Sequence, residues 1–133
     1  MEEIQIKLKP WGKEIWFAKT PFYAGKIIEI MKGHRCSLQF HEKKSETQYL
    51  YSGKIKLTYG TDKDHLEEKI IESGEKINTP ANTIHRFEAL EDSKIFEVST
   101  PELDDIVKLH DDYRREGKGI NDSLDIELHN QQI

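Results

Sequence analysis

One cysteine among 133 residues, Cys36, cannot form a disulfide within the chain, so packing, hydrogen bonds and ion pairs must hold it together. Long apolar runs are missing too: none approaches the roughly 20 residues needed to cross a bilayer. Charged residues (34%) nearly equal hydrophobic ones (35%), and no membrane partner is expected. The opening Met1-Glu2-Glu3-Ile4 has neither the basic nor the apolar part of a secretory signal. With the lone thiol, this reads as a cytoplasmic protein. Basic charge is in short supply. The formal net charge is −5 and the lysines are scattered, which excludes a phosphate-backbone footprint and leaves no nucleic-acid partner. The glycines form neither a P-loop nor a dinucleotide fingerprint. The length allows one domain with one core.

Short apolar or alternating runs fill the chain to about Thr100, and sustained helical periodicity is absent there. The runs predict strands at Glu14–Ala18, Tyr23–Met31, Cys36–His41, Thr47–Ser52, Lys54–Tyr59, His65–Ile71, Lys76–Thr79, His85–Ala89 and Ser93–Ser99. Ser52-Gly53 reads as a tight hairpin and Gly60 to Asp64 as an exposed turn. Many closely spaced short strands fit an all-β barrel, whose closure hides the sheet edges. After Pro101, the spacing of Leu103, Ile106, Val107 and Leu109 or His110 predicts one short closing helix. The expected organisation is a barrel with that helix over residues 1–116, then a polar tail over 117–133 that frays at Asn130-Gln131-Gln132-Ile133.

The chemistry concentrates between Gly33 and Gly53. Gln39 and His41 are two apart, so a strand presents both on one face while Phe40 points the other way. Glu46 can return from the following turn, and His85 supplies a second imidazole at a strand start. Two imidazoles, a carboxylate and an amide oxygen suit a divalent ion of borderline or hard character and leave positions open to water or substrate. The lack of thiolates argues against a purely structural zinc site.

Gly33, Gln39, His41, Glu46 and Gly53 follow the spacing of the first motif of the cupin superfamily, with Gln39 at the first histidine position. Gly74, Pro80, Asn82 and His85 follow the second motif, with Asn82 at the middle glycine; asparagine tolerates the left-handed turn that position needs. The chain thus resembles a small single-domain cupin, a double-stranded β-helix or jelly-roll barrel with a short C-terminal helix. The run Ser37-Leu38-Gln39-Phe40-His41 with Ser45-Glu46 looks like the type II phosphomannose isomerase branch. Lys9-Pro10-Trp11-Gly12, His85-Arg86-Phe87-Glu88 and Asp104-Asp105-Ile106-Val107 through Tyr113 are similar to further segments of that branch. Lys43-Lys44, Thr47-Gln48 and Tyr113-Arg114-Arg115 depart from it.

The resemblance implies one divalent metal on Gln39, His41, Glu46 and His85, with zinc favoured over manganese, nickel, cobalt or iron. It implies a metal-dependent aldose–ketose isomerase that interconverts mannose 6-phosphate and fructose 6-phosphate. Lys44, Arg86 and Arg114 are the candidates for the catalytic polar groups. The alternatives are another metal-dependent cupin enzyme (an epimerase, lyase or oxygenase) or a carbohydrate-binding cupin without catalysis. A homodimer is expected, with the aromatics Trp11, Trp16, Phe17, Phe22 and Tyr23 offering either packing or an interface. The bland readings are a solvated lysine pair at Lys43-Lys44, a bracing role for Arg86, a buried unreactive Cys36, and surface positions for His34, His65, His110 and His129.

Overall fold

The computed structural model describes residues 3–133. In chain order the strands are β1 (Gln5–Lys9), β2 (Gly12–Lys19), β3 (Ala24–Ile30), β4 (Leu38–Phe40), β5 (Glu46–Ser52), β6 (Lys54–Gly60), β7 (Glu67–Glu72), β8 (Lys76–Thr79), β9 (Ile84–Ala89), β10 (Ser93–Ser99), β11 (Val107–His110) and β12 (Gly117–Lys118). One helix, α1 (Asp122–Gln131), follows. All named strand pairs are antiparallel. They build two six-stranded sheets ordered β1-β2-β3-β10-β5-β8 and β12-β11-β4-β9-β6-β7.

The alternation read from the sequence places one residue in two inside. Ile28 and Ile30 of β3, Leu50 of β5, Ile55 and Leu57 of β6, Phe87 and Ala89 of β9 and Ile95 of β10 form an apolar core at one end of the barrel. Each buried aliphatic or aromatic side chain contributes about 1.5–3 kcal/mol against exposure. Further along the same inward faces the residues turn polar: Lys26 on β3, Glu46 and Gln48 on β5, His85 on β9 and Glu97 on β10 are all buried. The barrel therefore has a dry end and a charged end.

All nine strands expected from the sequence are present, two with the expected bounds (Lys76–Thr79 and Ser93–Ser99) and seven with shifted ones, and three expectations need correction. Ser52-Gly53 is not a hairpin. β5 and β6 lie in different sheets, and Gly53 (φ 99°) is the corner between them, where an added Cβ would sit 2.3 Å from Ser93 Oγ. The closing helix expected over Leu103 to His110 is instead strand β11, paired with β4 through Val107↔Phe40 and Lys108↔Gln39. A span of one or two helical turns also satisfies period two, and the β-branched pair Ile106-Val107 beside the open edge of β4 favours the ladder. The polar tail carries the helix, which runs on into the Asn130-Gln131 expected to fray. Asn121 caps it by accepting from Leu124 N–H, while buried Asp125 pairs with Lys9 Nζ (2.9 Å) and Arg115 Nη1 (3.1 Å). His129 Nδ1 donates to Lys9 O (2.8 Å) and lies 3.0 Å from Gly12 O.

Candidate metal centre

Register brings the second-motif histidine to the first motif. Gln39 on β4 lies directly across from His85 on β9, with both side chains at the charged end. His41 follows β4 and Glu46 opens β5, so the donors come from both sheets. Asn82 (φ 65°) adopts the left-handed turn expected of it and donates its backbone N–H to His41 O at 2.7 Å, tying the two motif loops together.

The donor atoms of His41, Glu46 and His85 lie within 4.8 Å of one another, and all three residues are buried. His41 Nε2 touches Glu46 Oε1, and His85 Nε2 stands 3.9 Å from the same oxygen, a spacing compatible with donors to one cation at bonds near 2.1 Å. Neither His41 Nε2 nor Glu46 Oε1 finds a hydrogen bond of acceptable geometry. Buried polar atoms left in this state are costly, and a shared cation would satisfy both. The far ring nitrogens are already committed: His41 Nδ1 donates to Asp105 O, and His85 Nδ1 to Thr83 O at 2.9 Å. That fixes the tautomer with the Nε2 lone pair facing the centre. Gln39 Nε2 lies 3.4 Å from His85 Nε2 while its Oε1 accepts from Ser37 Oγ at 2.8 Å. A half-turn of the amide would present oxygen to the centre and leave the Ser37 hydroxyl as acceptor. The donor set fits a divalent ion.

Electrostatics favour the same protonation states. Burial lowers His85 to about 4 against the pull of the Glu46 charge, so the imidazole is neutral near pH 7. Burial alone would raise Glu46, but the adjacent Glu97 and His41 and the Lys44 charge hold it well below the usual carboxylate range. Glu97 takes the opposite course. Burial and the Glu46 charge push it up to about 8, against the pull of Lys26 and Lys44. For Glu14, burial is outweighed by Lys26 and Lys9, and its value falls to about 2.

A cavity of about 50 Å³ opens beside the centre. At about 10–15 Å³ per water it has room for three to five waters. Lys26, Lys44, Lys108 and Glu97 line it, and Leu103, Ile106 and Ile120 also border it. Lys44 Nζ stands 3.6 Å from Glu46 Oε1 and 3.9 Å from Glu97 Oε2, beyond hydrogen-bonding reach of both. Lys26 Nζ is likewise 3.7 Å from Glu97 Oε2, an oxygen with no hydrogen bond of its own. Gaps of this size between buried charges suit water or the oxygens of a ligand. Lys108 Nζ donates to Gly119 O at 2.6 Å.

Of the three expected catalytic residues, the structure brings only Lys44 to the cavity. It is 2% exposed, so the solvated-pair reading fails for Lys44, while its neighbour Lys43 is exposed. Arg86 alternates away from His85 to the outer face, where Nε donates to Cys36 O (2.9 Å) and Nη2 to His110 O (3.0 Å). Arg114 is exposed in a left-handed turn; its neighbour Arg115 points inward and is held by Asp111 and Asp125. Glu97, Gln48, Lys26 and Lys108 were missed in the sequence. Their signal is a charged or amide residue in phase with inward apolar positions, as in Lys26-x-Ile28-x-Ile30, Glu46-x-Gln48-x-Leu50 and Ile95-x-Glu97. Cys36 is buried, and burial pushes its thiol up to about 11, in keeping with the unreactive reading.

Residues 2–111 match the family model described as mannose-6-phosphate isomerase C-terminal. No curated protein matches the sequence. Among solved structures the chain is similar to KdgF from Halomonas sp., at 21% identity over 77% of this chain and 89% of that one, with a TM-score of 0.65. It is also similar to oxalate decarboxylase from Bacillus subtilis, at 17% identity over 80% of this chain and 30% of that one, TM-score 0.69. A third likeness is to the capsular polysaccharide assembling protein CapF from Staphylococcus aureus, at 17% identity over 91% of this chain and 33% of that one, TM-score 0.64. The chain thus spans about a third of the length of the latter two, and at these identities the likeness is one of fold. With the strand order, the paired motifs and the match over residues 2–111 in agreement, the chain belongs to the mannose-6-phosphate isomerase C-terminal family and is a small all-β cupin.

Proposed function

We propose that the protein is a metal-dependent sugar-phosphate isomerase that interconverts mannose 6-phosphate and fructose 6-phosphate in the cytoplasm. The observation that carries this reading is the buried trio of His41, Glu46 and His85, of which His41 and Glu46 line a cavity bordered by lysines, in a chain of this family. A divalent cation held by Gln39, His41, Glu46 and His85 would supply polarisation of the open-chain sugar's carbonyl and neighbouring hydroxyl. Zinc is favoured.

The chain's own groups supply the rest. Lys44 has ammonium hydrogens free to donate to the oxygens at C1 and C2, where negative charge develops as the C–H proton leaves. Glu97, raised to about 8, carries the unpaired buried oxygen on the cavity, and its ionised form is placed to accept that proton and return it to the adjacent carbon. Glu46 and Glu97 are tied through Gln48, which fixes their separation. Leu103, Ile106 and Ile120 exclude water; a hexose phosphate is larger than the cavity, so these side chains must swing out on entry.

The test is proton exchange at C2 of mannose 6-phosphate in deuterated water, followed by NMR with metal-loaded protein. Exchange and appearance of fructose 6-phosphate support the reading. A protein with its metal bound that turns over neither sugar phosphate rejects it.

The tightness of the cavity favours a second reading, a metal-dependent cupin enzyme acting on a smaller acid. Turnover of small carboxylic acids, with none of sugar phosphates, would select it.

A further inference from the structure

We propose, building on the sugar-phosphate reading above, that Lys108 is the residue that recognises the phosphate group of the substrate. The cation and Lys44 act at C1 and C2, so the phosphate at C6 needs a partner of its own.

Five cationic side chains border the cavity, and four of them already face carboxylates. Lys9 pairs with Asp125 (2.9 Å), Lys26 with Glu14 (3.1 Å) and Arg115 with Asp111 and Asp125 (2.8 and 3.1 Å), while Lys44 stands 3.6 Å from Glu46. Lys108 is the exception. Among the described residues no carboxylate oxygen lies within 4.0 Å of its Nζ, although the residue is only 9% exposed. The nearby acids Asp111 and Asp125 are taken up by Lys9 and Arg115, which leaves the Lys108 charge uncompensated. Burial and the Arg115 charge lower its pKa, as expected of an ammonium short of a counter-ion. A buried cation in that state is costly, and a phosphate would relieve it through charge-assisted hydrogen bonds.

Register places this lysine beside the metal centre. Lys108 lies directly across the ladder from Gln39, and both border the cavity from the inner face of their strands. Its ammonium donates to Gly119 O at 2.6 Å. That carbonyl belongs to a short loop built on two left-handed glycines, Gly117 (φ 120°) and Gly119 (φ 83°), and the next residue, Ile120, borders the cavity. A phosphate oxygen is a stronger acceptor for an ammonium than a neutral carbonyl. Exchanging one for the other releases the Gly119 carbonyl and loosens the loop that carries Ile120. Phosphate capture and widening of the cavity are thereby coupled.

The experiment is calorimetric titration of the metal-loaded protein with mannitol 6-phosphate, which has no carbonyl to isomerise, with mannitol and with malonate. Steady-state kinetics on mannose 6-phosphate run beside it. K108M removes both donor and charge; K108Q keeps a donor for Gly119 O and removes only the charge. Metal content and thermal melts verify that each variant is folded. The wild type is expected to prefer mannitol 6-phosphate to mannitol, and both variants to lose affinity for it by about 30-fold or more, as when one member of a buried charge pair is truncated. KM for mannose 6-phosphate should rise by a similar factor with little change in kcat, the pattern of lost binding. A lysine that merely ties down the Gly119 loop predicts wild-type behaviour in K108Q. That result, a wild type with no preference for the phosphorylated ligand, or a loss confined to malonate would each overturn the proposal. The two readings fail separately. Phosphate preference lost in both variants of a protein that turns over no sugar phosphate rejects the isomerase and keeps Lys108, whereas turnover with an unchanged KM in the folded variants rejects Lys108 and keeps the isomerase.

Discussion

Gln48 holds Glu46 by one oxygen only: its Nε2 donates to Glu46 Oε2 at 2.8 Å and leaves Oε1 to face His41 and His85. The same nitrogen donates to Glu97 Oε1 at 3.0 Å, and Gln48 Oε1 accepts from Thr79 Oγ1 at 2.9 Å. The amide is wholly buried and clamped at both ends. It separates two carboxylates that would otherwise repel across the barrel.

Replacing Gln48 by Leu should therefore weaken the metal centre without removing a ligand. The expected outcome is a loss of metal affinity of about 10–100-fold, as for other supports of metal ligands. Competition with a chromophoric chelator measures it. Affinity equal to wild type would show that Glu46 is oriented by something else.

Lys44→Met separates catalysis from metal binding. The methionine keeps the volume and removes the free ammonium, so metal content should hold while isomerisation of mannose 6-phosphate falls about 100-fold or more. Steady-state kinetics beside metal analysis reads both. Full activity in the variant would remove Lys44 from the reaction.

The pH dependence of stability in chelator-treated protein follows from three groups. His85, lowered to about 4, contributes stability that is complete above its ordinary 6.5 and is lost as pH falls through 4. Glu97 is raised to about 8, so its contribution is complete below 4.5 and is lost as pH rises through 8. Glu14, lowered to about 2, contributes above 4.5 and loses its effect as pH falls through 2. The His85 loss and the Glu97 gain offset between pH 6.5 and 4.5, and below 4.5 His85 and Glu14 act together. Thermal melts should show a plateau of maximal stability near pH 5 to 6, a steep acid fall below 4.5, and an alkaline fall that Glu97→Gln abolishes. An alkaline limb unchanged in that variant would contradict the Glu97 assignment.

Asp125 anchors the helix to the barrel, and removing it strands Lys9. Asp125→Ala should cost about 3–5 kcal/mol, the usual penalty for leaving one member of a buried pair uncompensated. Urea denaturation measures this cost. A loss under 1 kcal/mol would mean that water reaches Lys9 in place of the carboxylate.

The strands were legible because period two needs only a handful of residues to declare itself, and the motif positions because the distances between Gln39, His41, Glu46 and His85 are set along the chain. What escaped was set across it. Val107 to His110 satisfy two periodicities at once, and only the open edge of β4 chooses between them. The tail lacked an apolar face, yet it docks through the ion pairs of Asp125 and the hydrogen bonds of His129. Gly53 announced a turn without saying that the chain changes sheets there. Glu97 lies 51 positions beyond Glu46 and belongs to the site only because β10 pairs with β5.

Metal content per chain, by elemental analysis of purified protein and its variants, tests the central claim most directly. One divalent ion per chain is expected in the wild type, with occupancy near zero in H85A and E46A at the same free metal concentration. A wild type that takes up no ion, or folded variants that retain it in full, would contradict the convergence of these donors on one cation.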